Sequence, residues 1–211
     1  MTASGVGRRI TTVATVAVLG LGASMTAAVP AAAAAGTAAI TAAAAAEVGY
    51  ATWQKDVKTV IDTATPYIQQ RTANSSGQRL AVVFDIDNTT LETHYTPWYQ
   101  LPTPALKPSL ALAKYAKSRG VDVFFVTARP GIIESLTEWN LKNVGYPVDG
   151  LYVRDLPDLF SEVSAYKTAS RADIESDGYT IIANVGNNTT DLVGGHAERT
   201  YKLPDYDGLL D

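Results

Sequence analysis

Residues 80–90 read LAVVFDIDNTT, and this stretch decides how the rest of the chain is interpreted. Its first part is apolar and rich in β-branched residues over the length of a buried strand. Two aspartates, Asp85 and Asp87, follow, and a polar turn comes after them. Like charges this close repel each other, so a cation, a lysine or a transferred phosphoryl group is implied nearby. We therefore predict that Asp85 is a nucleophile and Asp87 its acid/base partner.

The composition of the 211 residues excludes several classes of protein. The net charge is −4 and no Lys/Arg cluster occurs, which argues against a nucleic acid polymer as partner. The chain has no cysteine, so disulfides, thiolate metal sites and cysteine nucleophiles are excluded. The two histidines, His94 and His196, leave little room for a multi-histidine metal centre.

The first 46 residues have the composition of an export signal and a linker. Arg8 and Arg9 form a charged region, an apolar core follows, and the alanine-rich segment after it offers small-residue cleavage sites. We predict a signal peptide at 1–35, an Ala-rich linker at 36–46 and one domain at 47–211. The protein is then secreted from a bacterial cell, with no stable membrane association after signal cleavage. An uncleaved membrane anchor is the alternative, although the apolar core is short for a span.

Downstream of residue 46, helical and strand patterns alternate. Helices are expected at 47–71, 108–117, about 131–145 and 161–176, and strands at 80–86, 121–127, 151–153, 180–185 and 199–203. This alternation predicts an α/β fold, a parallel sheet with helices on both faces. Ligands bind at the carboxyl ends of the strands in such sheets, and Asp85, Asp87, Thr127 and Asp191 all lie there.

The polar groups at these strand ends suit phosphoryl transfer through an aspartate. That chemistry needs a carboxylate nucleophile, an acid for the leaving oxygen, cations, and donors for the phosphate oxygens. The chain offers Asp85, Asp87, Lys167 with a divalent ion, and Thr127 with loop amides. A hard ion such as Mg²⁺ would take the Asp85 carboxylate, a carbonyl near Asp87, a ligand from the Asp191 region and waters.

Four segments resemble, in order, the motifs of the haloacid dehalogenase (HAD) superfamily. They are FDIDNTT at 84–90, VTARP at 126–130, Lys167 within YKTASR, and VGNNTTDL at 185–192. The chain is most similar to the exported acid phosphatases of that superfamily. This group contains the bacterial class B and class C enzymes and the plant vegetative storage proteins.

The resemblance implies a fold, a mechanism and a set of site residues. The fold is a three-layer Rossmann-like core with a minimal cap or none. Asp85 would carry the phosphoryl group, Asp87 would act as acid and then base, and Thr127 and Lys167 would bind the phosphoryl group. The fourth motif would help to hold Mg²⁺.

The fourth motif departs from the pattern of relatives, which usually have Gly-Asp where this chain has Gly186-Asn187. Asn is a neutral oxygen ligand, so metal affinity should fall unless Asp191 supplies a carboxylate directly or through water. We expect Asp191 to be the metal-site carboxylate and place Asn187 beside it.

Four further residues are candidate substrate contacts. Arg129 either contacts substrate or holds its own loop. Tyr95, Trp98 and Tyr99 either line the mouth of the pocket and stack on an aromatic leaving group, or pack on the edge of the domain. Because residues 88–104 form a loop too short for a separate cap domain, we expect an open site that accepts varied small phosphomonoesters.

The sequence therefore predicts a secreted, Mg²⁺-dependent phosphomonoesterase. Three alternatives stand beside it: a non-catalytic or weakly active storage or binding protein on the same fold, a receiver-type signalling domain, and a calcium loop starting at Asp85. The export signal and Asp87 speak against a receiver. The calcium loop lacks the glycine and glutamate that it needs at its sixth and twelfth positions, which are Thr90 and Thr96.

Overall fold

The structure, a computed structural model, describes residues 48–75 and 77–210. The predicted signal peptide and linker lie outside these residues. The strands are β1 (Arg79–Phe84), β2 (Asp122–Pro130), β3 (Gly150–Arg154), β4 (Tyr179–Gly186) and β5 (Thr200–Lys202). The helices are α1 (Tyr50–Ala73), α2 (Lys107–Ser118), α3 (Glu134–Asn143), α4 (Val163–Ser176) and the short α5 (Thr189–Leu192). Two 3₁₀ turns span Gly131–Ile133 and Asp158–Phe160.

The five strands form one parallel sheet in the order β3-β2-β1-β4-β5. Alternate side chains of β1 point to opposite faces, as the pleat of a strand requires. Val82 and Phe84 belong to the core that contains α1 and α2, whereas Val83 packs with Tyr166 and Ile174 of α4. Burial on both faces explains why β1 reads as a continuous apolar run. The prediction of an α/β fold with a parallel sheet and helices on both faces is confirmed.

The register of the sheet brings three strand ends together. Phe84, the last residue of β1, pairs with Phe125 of β2 and Val185 of β4. The chain segments that follow these residues consequently leave the sheet along the same edge. Asp85 stays attached to that edge because its N–H donates to the carbonyl oxygen of Val185 at 2.9 Å.

Element boundaries differ from the predicted ones in a few places. β2 extends beyond Thr127 to Pro130, which pairs with Arg154 of β3. Residues 88–104 contain isolated bridges and turns, as expected of a loop. Within the described residues, no helix is long and apolar enough to cross a membrane.

Candidate active site

The turn after β1 places the two aspartates differently. The N–H groups of Thr89, Thr90 and Leu91 all donate to the carbonyl oxygen of Ile86, which folds the chain back on itself. Asp85 is buried at the end of the strand, whereas the side chain of Asp87 is 41% exposed. The first aspartate is therefore shielded by the fold and the second faces outward.

Lys167 of α4 lies between two buried carboxylates. Its ammonium nitrogen is 2.6 Å from Oδ1 of Asp85 and 2.6 Å from Oδ1 of Asp191. Burial opposes the charged form of Lys167, but the two aspartates outweigh it and raise its pKa above the ordinary value. Burial raises the pKa of Asp85 to about 7, since the carboxylates of Asp191 and Asp87 add to desolvation while Lys167 only partly offsets them.

The loop after β4 is built to hold Asp191. Oδ2 of Asp191 accepts the N–H of Asn188 at 2.8 Å, which completes a capping box for α5. Gly186 permits this approach, because a Cβ at that position would lie 2.4 Å from the Cβ of Asp191.

Arg171 is a site residue that the sequence interpretation missed. It lies one turn after Lys167 on α4, is fully buried, and donates to the carbonyl oxygens of Asp191, Val193 and Gly195. Its position could have been predicted from its spacing of four residues from Lys167, since residues i and i+4 lie on the same helix face.

Arg129 pairs with Asp87 through two hydrogen bonds. Nε donates to Oδ2 at 3.0 Å and Nη2 donates to Oδ1 at 2.7 Å, while the hydroxyl of Thr93 also donates to Oδ1 at 2.8 Å. Burial alone would raise the pKa of Asp87, but the hydrogen bonds and charge of Arg129 dominate and lower it. Thr127 is buried nearby, and its hydroxyl oxygen accepts the N–H of Arg129 at 3.2 Å.

Asn187 is buried and engaged on both sides of its amide. Its Oδ1 accepts the hydroxyl of Thr89 at 3.1 Å, and its Nδ2 donates to the carbonyl oxygen of Leu210 at 3.1 Å. The hydroxyl oxygen of Thr89 also accepts the N–H of Asn187 at 3.0 Å.

A cavity of about 310 Å³ opens beside these groups. It is lined by Asp85, Asp87, Asn88, Ala128, Val163, Lys167, Asn187, Asn188, Thr190, Asp191 and Leu210. The structure thus brings Asp85, Asp87, Lys167, Asn187 and Asp191 together around one cavity, whereas Thr127 and Arg129 do not line it.

Comparison with known proteins identifies the family of this chain. The sequence family described as HAD superfamily, subfamily IIIB (Acid phosphatase), matches residues 8–209. The chain belongs to this family. It is also similar to the stem 28 kDa glycoprotein of Glycine max, with 30% identity over an alignment of 174 residues that covers 72% of this chain and 67% of the relative. Acid phosphatase 1 of Solanum lycopersicum is 27% identical over 172 residues, an alignment that covers 72% of this chain and 67% of the relative.

A solved structure shares the fold of this acid phosphatase family member. The class C acid phosphatase from Bacillus anthracis superimposes with a TM-score of 0.59 over 76% of this chain and 83% of that chain, at 19% identity. This likeness supports the α/β fold.

The three aromatic candidates occupy different environments in this HAD protein. Tyr95 packs against Trp53, with ring centroids 4.9 Å apart, and its hydroxyl donates to the carbonyl oxygen of Val48. Trp98 and Tyr99 are 91% and 71% exposed. None of the three lines the cavity. Tyr95 therefore matches the edge-packing alternative, and the substrate role of Trp98 and Tyr99 stays a prediction.

The donors around the cavity suit a hard cation. Across residues 48–75 and 77–210, no set of three or more His, Cys, Asp or Glu side chains is arranged to hold a metal ion. The buried carboxylates of Asp85 and Asp191 nevertheless share the single ammonium group of Lys167, so negative charge exceeds positive charge among these three side chains when both aspartates are ionised. Oxygen atoms of Asp85, Asn187 and the Asp87 main chain are ligands of the type that Mg²⁺ prefers. A divalent ion therefore fits this site in charge and ligand chemistry.

Proposed function

We propose that this protein is a secreted acid phosphatase that hydrolyses small phosphomonoesters through an aspartyl-phosphate intermediate. One observation carries the proposal: Asp85 lines the cavity at the end of β1, with the ammonium group of Lys167 2.6 Å from its carboxylate. A buried carboxylate beside a fixed positive charge suits attack on a phosphorus atom, since the lysine compensates charge on the nucleophile and on the phosphoryl oxygens.

The reaction proceeds in two halves. In the first, an oxygen of Asp85 forms a bond to phosphorus, the bond between phosphorus and the ester oxygen breaks, and Asp87 gives its proton to the departing alcohol. In the second, water attacks phosphorus while Asp87 takes up its proton, the bond to Asp85 breaks, and inorganic phosphate leaves. Arg129 orients Asp87 for both steps, and Lys167 and Thr127 hold the phosphoryl oxygens.

The protonation state that Asp87 needs favours acidic pH. Asp87 must carry a proton in the first half, and its lowered pKa means that the protonated fraction grows only as the solution becomes acidic. Asp85 must be ionised, and a cation at the site would favour that form. Asp85, Asn187, Asp191 and the Asp87 carbonyl would hold Mg²⁺, which would supply positive charge to the phosphoryl oxygens.

Export follows from the predicted signal peptide at 1–35, and the domain at 47–211 would be the secreted enzyme. Residues 88–104 form a loop and not a cap domain, so the cavity at the sheet edge is open. Its expected partners are therefore varied small phosphomonoesters rather than nucleic acid polymers. Expression of the full chain in a bacterial host tests this export. We expect the protein in the medium, with an N-terminus near residue 35 by N-terminal sequencing.

Hydrolysis of p-nitrophenyl phosphate tests the activity. We expect turnover that is lost on chelation, is restored by Mg²⁺ and falls at least ~1,000-fold in Asp85→Asn. Asp62→Asn is the matched control, because Asp62 forms only an exposed pair with Lys58. Full activity in Asp85→Asn would rule out the mechanism.

A storage or binding protein on the same fold is the second candidate. The observation in its favour is Asn187, whose amide is occupied by Thr89 and Leu210. The similarity to the soybean stem glycoprotein is compatible with it. Binding of inorganic phosphate without any turnover at saturating Mg²⁺ would select this candidate over the enzyme.

A further inference from the structure

The segment from Leu203 to Leu210, here called the strap, follows β5 and returns to the cavity. The N–H of Leu203 donates to the carbonyl oxygen of Gly186 at 2.8 Å. Residues 206–208 then form a tight turn, after which the N–H of Leu210 donates to the carbonyl oxygen of Asp205 at 3.1 Å. The side chain of Leu210 is buried in the same core as β1.

The carbonyl oxygen of Leu210 is held by two buried asparagines of the site. Asn88 donates to it from Nδ2 at 2.6 Å and Asn187 donates from Nδ2 at 3.1 Å. This contact determines the orientation of the Asn187 amide. If the amide were rotated by 180°, its oxygen would face the Leu210 oxygen, and two acceptors would oppose each other.

Asn187 is therefore engaged on both sides of its amide while the strap is docked. With the strap docked, its oxygen accepts the hydroxyl of Thr89 and its NH₂ group binds Leu210. A turn of the amide oxygen from Thr89 toward a cation beside Asp85 would move the NH₂ group with it. The NH₂ group would then leave Leu210.

We propose that docking of the strap and binding of a divalent cation compete for Asn187, so that cation binding loosens the strap. This inference rests on the metal site of the proposed function. By reciprocity, a protein whose strap docks poorly must bind the cation more tightly. Asn187 thereby acts as a positioning residue that links the two events.

The backbone of the strap is suited to release. Tyr206, Asp207 and Gly208 have φ values of 53°, 57° and 86°, and the first two are not glycine. Left-handed backbone is unfavourable for such residues, so the docked turn depends on its contacts. Those contacts include the hydroxyl of Tyr206 on Asp56 at 2.8 Å and an ion pair of Lys202 with Asp205 at 2.8 Å.

Hydrogen exchange of the full chain tests the link without any variant. Amide exchange is followed by mass spectrometry with and without saturating Mg²⁺. We expect peptides that cover 204–210 to exchange faster with Mg²⁺, while peptides of β1 are unchanged or slower. Strap exchange that is unchanged or slower on Mg²⁺ binding would overturn the proposal.

The second arm weakens docking by substitution. Gly208→Val places a β-branched residue where φ is 86°, and Gly77→Val is the control because Gly77, at φ 74°, lies in the loop before β1. By calorimetry we expect Gly208→Val to bind Mg²⁺ roughly fivefold more tightly, the ratio that one buried hydrogen bond corresponds to. The Asn187→Ala background should abolish that gain, and Gly77→Val should show none.

The outcomes separate the strap from the enzyme. Mg²⁺ binding with equal affinity in wild type and Gly208→Val, when the strap of the variant exchanges faster, overturns the coupling and leaves the phosphatase intact. Absence of Mg²⁺ binding in every variant overturns the metal site and the coupling together. Turnover of p-nitrophenyl phosphate by the wild-type protein is measured separately, because it tests the phosphatase activity and not the coupling.

Discussion

The ammonium nitrogen of Lys167 lies 2.6 Å from Oδ1 of Asp85, and neither side chain is more than 8% exposed. Lys167 bonds Asp191 at the same distance, so one buried cation serves two buried carboxylates. A buried charge is tolerated only with partners, and removal of one partner leaves the others uncompensated. The arrangement consequently couples the proposed nucleophile to the stability of the domain.

Replacement of Lys167 by methionine should destabilise the protein by about 3–5 kcal/mol at pH 8, because two buried carboxylates lose their counter-charge. Urea unfolding followed by circular dichroism measures the loss. Lys58→Met is the control, since the exposed pair of Lys58 with Asp62 should contribute less than about 1 kcal/mol. A cost for Lys167→Met no greater than that of the control would contradict the ion triad.

Asp85 should make the metal-free protein less stable as pH rises. Burial raises its pKa from 3.8 to about 7, so between these values the folded protein holds a proton that the unfolded chain releases. Stability falls with pH wherever the folded state binds more protons. Relative to wild type, Asp85→Asn should therefore gain melting temperature from pH 4 to pH 7 and then level off. A constant difference between the two proteins across this range, measured by calorimetry in chelator, would contradict the raised pKa.

The strand ends were predictable because local pattern and sheet geometry suffice for them. The apolar run before Asp85 and the alternation of elements imply a parallel sheet, and a parallel sheet gathers its polar strand ends at one edge. Lys167 was predictable only from its motif, since a single lysine on a helix carries no pattern of its own. The structure brings it to Asp85 across 82 residues of sequence.

Contacts made by the ends of long loops were not predictable. Leu210 resembles any apolar residue of a polar tail, yet its carbonyl oxygen bonds Asn88 and Asn187. Tyr95 was grouped with Trp98 by proximity in sequence, but it packs on Trp53 of α1. Both contacts depend on tertiary packing between distant segments, which periodicity does not report.

Arg129 should determine the pH dependence of turnover through Asp87. Its two hydrogen bonds lower the pKa of that carboxyl, so Arg129→Ala should let the pKa rise and move the pH–rate profile of kcat toward higher pH. Loss of orientation should also lower kcat about 10-fold or more, within the contribution of acid–base catalysis. Arg129→Lys, which keeps the charge without the paired geometry, should restore the profile better than the rate. Arg119→Ala, an exposed arginine near Thr72, serves as control, and a profile that stays in place in Arg129→Ala would contradict the assignment.

Trp98 provides the sharpest test of the predicted aromatic contact. Its ring is 91% exposed, so Trp98→Ala should leave the unfolding free energy unchanged. If it stacks on the leaving group, KM for p-nitrophenyl phosphate should rise about 5- to 10-fold, the lower range of stacking on aromatic side chains. KM for glycerol phosphate, which has no ring, should not change.

Ile132→Ala is the control, because Ile132 is equally exposed but has no ring to stack. Tyr95→Ala should instead lower stability through lost packing on Trp53 and change both KM values alike. An equal effect of Trp98→Ala on the two substrates would remove Trp98 from the substrate site.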